Sequence, residues 1–129
     1  MRSICFLAAA LLASAPVLAR PSQGLMFAAS PMTKDAVDAF CANHDQTACS
    51  LFLPVAAQCE RYGLEASSYF SVFALWRQKG LSVGQASYYA SRYHNDPDLI
   101  DRAAAAPAGT TPAQFRMAVL QDCLTAAMN

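Results

Sequence analysis

The chain holds five cysteines in 129 residues, and four of them, Cys41, Cys49, Cys59 and Cys123, lie beyond residue 19, with His44 and Asp45 set between the first two. Cysteine thiols pair as disulfides or ligate metal, and a His beside an Asp can do general-base work when an orienting partner and an oxyanion site accompany it. The spacing of the cysteines and His44 matches no zinc pattern, so disulfides are the expected chemistry, and no metal or cofactor is expected. His94, the other histidine, sits beside Asn95-Asp96 in a sequence that reads as a helix-ending turn. No serine stands in a nucleophile-elbow context.

The leader supports pairing. Arg2 gives a positive start, Ile4 to Leu12 is an apolar run, and Val17-Leu18-Ala19 places small residues before a cut ahead of Arg20. Residues 1–19 therefore read as a signal peptide, with an apolar run too short for the ~20 residues that cross a bilayer. Cys5 leaves with it, and no cysteine stands at the cut to make a lipoprotein. The four remaining thiols reach an oxidising compartment, where they pair.

Loss of Arg2 turns 9 basic and 9 acidic residues into 8 and 9, a net charge of −1. Near-neutrality without a Lys/Arg cluster argues against nucleic acid and against an anionic membrane surface. After the leader, residues 20–32, with Pro21, Gly24, Ser30 and Pro31, read as an extended lead-in, and residues 33–129 as one helical domain of about 100 residues.

Thr33 is expected to cap a first helix that carries Ala36, Val37, Phe40 and Cys41 at helical spacing. Asn43 to Gln46 breaks it. A second helix starts near Thr47 and runs to Cys59, with Pro54 as a kink or first turn and Gly63 as its stop. Glu65 to Lys79, with Ala66, Tyr69, Phe70, Val72, Phe73, Leu75 and Trp76, is apolar nearly all round and belongs in the middle of a bundle, ended by Gly80. Ser82 caps a helix to about His94, Asp96-Pro97 opens a short one, and Thr111-Pro112 starts the last. Tyr88, Tyr89 and Tyr93 form a stripe that reads as core or core edge. The fold class is all-α, an irregular bundle of about five or six short helices stapled by two disulfides.

Geometry ranks the pairings. Cys49 and Cys59 on one helix would stand ~15 Å apart, beyond a disulfide's reach of ~7 Å. Cys41 and Cys49 flank a helix-turn-helix corner, and Cys59 with Cys123 would tie the last helix to the second. The crossed alternative, Cys41 with Cys59 and Cys49 with Cys123, or its converse across the termini, stays open.

Two resemblances bear on function. Cys41-Ala42-Asn43-His44-Asp45 resembles the Cys-x-x-His-Asp core of secreted phospholipases, which implies His44 as general base on a calcium-polarised water, Asp45 as a holder of the ion and Asp101 as orienter of the base. The next cysteine comes four residues after Asp45 instead of two, and no Gly-rich calcium loop precedes Phe40, so one or two carboxylates would hold the ion poorly. A calcium-dependent hydrolase is thus the alternative reading, and no catalytic residue is assigned in the favoured one.

Across nearly the whole mature chain, Cys41, Cys49 with Ser50-Leu51-Phe52-Leu53, Leu81-Ser82-Val83-Gly84-Gln85, Tyr93 with Asp96-Pro97, and Cys123 resemble the Rap/Tai-type periplasmic immunity proteins of type VI secretion. Pro54 stands where that pattern usually has glycine, and Cys59 is an addition. The resemblance implies a periplasmic, helical and often dimeric inhibitor that plugs the cleft of a peptidoglycan-cleaving amidase with a loop and adjoining helix ends. The contact residues expected on such turns are Asn95, Asp96, Asp98 and Asp101, with Arg92 and Tyr93 as anchors. A periplasmic stress or structural protein is a third class.

Overall fold

The computed structural model describes residues 29–129, so the leader and the expected lead-in up to residue 28 lie outside the described residues. The described chain is all-α, with five helices and no strand: α1 (Pro31–Ala42), α2 (Gln46–Gln78), α3 (Val83–Ala90), α4 (Pro97–Ala105) and α5 (Pro112–Met128). It falls into two compact units divided between Leu53 and Pro54. Each unit holds one disulfide, Cys41–Cys49 in the first and Cys59–Cys123 in the second, which is the pairing ranked first on geometry. Two disulfides are consistent with an exported, oxidising location. No helix among the described residues is long and apolar enough to cross a membrane.

In the first unit, Ser30 and not Thr33 caps α1: its side chain accepts from the Thr33 N–H, and Pro31 occupies the first turn, where a missing N–H costs nothing. Thr33 itself is buried one turn in. Asn43 closes α1, and Asp45 Oδ1 accepts the Ala48 N–H at 2.8 Å to begin α2.

Gly63 does not stop the second helix. α2 runs unbroken for 33 residues through Pro54 and Gly63, and it absorbs the two separate helices expected from sequence. Gly63 is a place of close approach: a Cβ there would lie 3.5 Å from Arg116 Cγ and 3.6 Å from Leu120 Cβ, both on α5. The buried positions of α2 in the second unit, Ala56, Cys59, Glu60, Gly63, Ala66, Tyr69, Phe70 and Phe73, recur at spacings of three and four and mark a single stripe. Leu64 and Leu75 are 46 % and 49 % exposed, so this helix is not covered all round and has an outer face.

The core of the second unit joins that stripe to Ala86 and Ala90 of α3, Leu99 and Ala103 of α4, and Phe115 and Val119 of α5. Phe70 stacks on Phe115 at 4.4 Å, and Phe73 packs on both Tyr69 and Phe70. Gly80 ends α2 with φ of +91°, donating to the Arg77 carbonyl while Leu81 donates to that of Trp76. This double bond of a left-handed glycine cap satisfies two orphan carbonyls and turns the chain. Ser82 with Gln85, and Thr111 with Gln114, form reciprocal capping boxes for α3 and α5. α3 stops at Ala90, and Ser91 to Tyr93 form a turn instead of continuing the helix to His94.

Candidate functional site

The Cys41-to-Asp45 string is a helix corner. Cys41 Sγ is bonded to Cys49. Asn43 Nδ2 donates to the Ala39 carbonyl at 2.8 Å, and His44 Nδ1 lies 2.8 Å from the Phe40 carbonyl. A carbonyl only accepts, so Nδ1 carries the proton. The His44 ring stacks on Phe40 at 3.8 Å, and Phe40 in turn on Phe52 at 4.3 Å. His44 Nδ1 is thus engaged by a backbone carbonyl, and one oxygen of Asp45, Oδ1, accepts from the backbone of α2. Among the described residues no group of three or more His, Cys, Asp or Glu side chains is placed to hold a metal ion.

The six residues expected to contact a partner divide into two sets, all in the second unit. Asp96 caps α4, its Oδ1 accepting the Asp98 and Leu99 N–H groups. Asp98 Oδ2 accepts from Tyr62 Oη at 2.8 Å and from Arg102 Nε at 2.9 Å, and Arg102 reaches on to Asp122 at 2.6 Å. This chain of charged hydrogen bonds spans α2, α4 and α5. Burial, and then the bond to Asp98, holds the Tyr62 phenol well above its ordinary pKa. The Arg102 guanidinium is raised chiefly by its bond to Asp122, against the opposing effect of burial. Arg92, Tyr93, Asn95 and Asp101 point outward as exposed side chains.

The tyrosine stripe is a surface. Tyr88 is 64 % and Tyr93 72 % exposed, and Tyr89 is also exposed, so the stripe lies further out than the core or core-edge position expected for it, while Tyr93 has the exposure expected of an anchor. Ala86 and Ala90 take the buried positions of α3, which leaves the tyrosines on its outer side. Tyr89 stacks on Trp76 at 4.6 Å, Tyr88 meets Tyr89 edge-on at 5.5 Å, and Lys79 Nζ lies 5.1 Å from the Trp76 ring. Two depressions are walled in part by the C-terminal turns of α2 and by α3. One, with a cavity volume of about 560 Å³, has Phe70, Phe73, Arg77, Val83 and the 106–112 loop in its walls. The other, of about 510 Å³, lies among Trp76, Leu81, Gly84, Gln85 and the paired tyrosines.

Sequence reasoning passed over Trp76, partly buried against the core yet stacked on exposed Tyr89, and Glu60 as an interior residue. Glu60 is 2 % exposed, and Arg116 Nη2 donates to it at 3.1 Å. The signal was available: Glu60 adjoins Cys59 and lies three residues before Gly63 on the buried stripe. Tyr69 Oη and Arg116 Nε are buried with no hydrogen-bond partner among the described residues. No family model matches this chain, and no curated protein or solved structure shows significant similarity to it.

Proposed function

We propose that this chain is an exported, disulfide-braced binding protein of the periplasm, an immunity-type inhibitor that covers the cleft of a secreted peptidoglycan-cleaving amidase and performs no chemistry itself. The observation that supports the reading is the aromatic cluster of Trp76, Tyr88 and Tyr89, with Tyr88 mostly exposed and the likewise exposed Tyr93 in the turn after α3. Trp, Tyr and Arg are the side chains that dominate protein interfaces, and Arg92 stands next to Tyr93. The cluster is held in advance by the Trp76–Tyr89 stack and the Ser82 capping box. Such preorganisation reduces the entropy lost on association.

The test is clearance of a peptidoglycan suspension by a panel of purified secreted wall amidases, with and without the mature chain. One amidase is expected to stop at one-to-one stoichiometry, and Tyr88→Ser with Tyr93→Ser weakens that inhibition by roughly tenfold or more. Turnover of a lipid, ester or wall substrate by the chain alone, or a panel that runs on uninhibited, overturns the reading.

A further inference from the structure

We propose that the C-terminal turns of α2 together with α3 form the docking face, and that it receives an acidic protein segment bearing an apolar or aromatic side chain beside its carboxylates. The inference rests on the binding-protein reading above, but not on the partner being a wall hydrolase.

Charge and shape coincide at this face. From residue 66 to residue 95 the chain has no Asp or Glu, but it has Arg77, Lys79 and Arg92. All three are exposed, Arg77 with its Nη1 donating to the Leu81 carbonyl at 2.7 Å and so held at the end of α2. Neither of the two depressions walled by α2 and α3 has an acidic side chain in its walls. The first offers an apolar floor of Phe70 and Phe73 with Arg77 at its side, and the second offers the Trp76 and Tyr89 rings. Lys79, close to the Trp76 ring, puts a cation within reach of any carboxylate that accompanies a side chain lodged there. A segment alternating carboxylates with apolar side chains satisfies both features, because opposite charge steers the encounter while ring burial supplies the contact energy.

Two other occupants fit less well. Three cations match few phosphates compared with the roughly 6–10 contacts of a typical nucleic-acid binder. A second copy docking by this same face would set Arg77, Lys79 and Arg92 against their own counterparts, with no acidic residue between 66 and 95 to meet them.

The experiment titrates the mature chain into a fluorescein-labelled peptide that alternates Asp and Glu with Leu and Phe, read by anisotropy at low and high salt. Its amide counterpart, with Asn and Gln, and a single-stranded oligonucleotide serve as the other arms. The acidic peptide is expected to bind about tenfold tighter than the amide peptide, and the difference shrinks in high salt. Lys79→Gln with Arg92→Gln removes the preference, Tyr88→Ser weakens both peptides, and Asp38→Asn, an exposed acid of the first unit, changes neither. Absent peptide binding, equal binding of the two peptides, a preference for the oligonucleotide, or sedimentation showing a self-assembly that the Lys79 and Arg92 substitutions abolish would each overturn the inference. An amidase inhibited equally by the natural chain and the Lys79→Gln/Arg92→Gln variant sinks this inference and leaves the inhibitor reading standing. Peptide binding lost in that variant, with no amidase inhibited, does the reverse.

Discussion

Glu60 and Tyr62 sit two residues apart on α2 and show how differently a polar side chain can be held. Glu60 is buried and bonded to Arg116, and removing either charge alone would leave the other in a poorly solvated place. Tyr62 is half-buried, and its hydroxyl donates to the Asp98 carboxylate, a bond that exists only while the phenol is protonated. Its pKa in the folded state is raised above the ordinary value near 10. As pH rises past ~10, the unfolded chain therefore releases the Tyr62 proton before the folded chain does, and stability falls with pH. This stabilisation is complete below the ordinary phenol pKa and is lost progressively above it. Tyr62→Phe is expected to lose about 1 kcal/mol at neutral pH and to show a shallower decline in urea midpoint from pH ~9 to ~11. An unchanged alkaline slope would remove Tyr62 from that account.

At the scale of elements, α2 is decided by what packs against it. Gly63 has helical backbone and 3.5 Å or more of space around a notional Cβ, which is ordinary contact distance. Gly63→Ala should accordingly stabilise the fold by about 0.5–1 kcal/mol through helix propensity, whereas Gly63→Leu forces α5 away at a cost of about 1–3 kcal/mol. Urea denaturation of the two variants checks the sign change, and a loss in both would mean that α5 approaches more closely than Arg116 and Leu120 allow. Pro54 lacks the N–H that would bond the Ser50 carbonyl, yet the helix continues through it. The flanking turns carry buried Phe52 and Ala56, so packing on both sides outweighs one missing bond.

For the whole molecule, the disulfides differ in reach. Cys41–Cys49 joins residues 8 apart, and Cys59–Cys123 joins residues 64 apart. In the chain-entropy account the long link removes about 4 kcal/mol of unfolded-state freedom and the short one about 2.5 kcal/mol. Replacing Cys59 and Cys123 by Ala should therefore lower the unfolding free energy more than replacing Cys41 and Cys49, as measured by urea titration of the oxidised proteins. The reverse order would place the main stabilisation in the corner at Asn43 to Asp45.

Helix content, the cap signals at Ser82, Asp96-Pro97 and Thr111-Pro112, and the ranking of the cysteine pairs were legible in the sequence, because each depends on neighbours a few residues away or on the rise of one helix. Of the expected contact set, Arg92, Tyr93 and Asn95 were legible as exposed residues outside the helices, and Asp101 is exposed on α4. Tertiary structure alone decided that Gly63 is a contact and not a stop, that Asp98 is bound by Tyr62 and Arg102, that Glu60 is interior and that the tyrosines of α3 face outward. A helical pattern is apolar on several sides in this chain, and which side is covered depends on segments far along it. The small Ala86 and Ala90 fit against the core of the second unit, and the bulky rings between and beyond them were left at the surface.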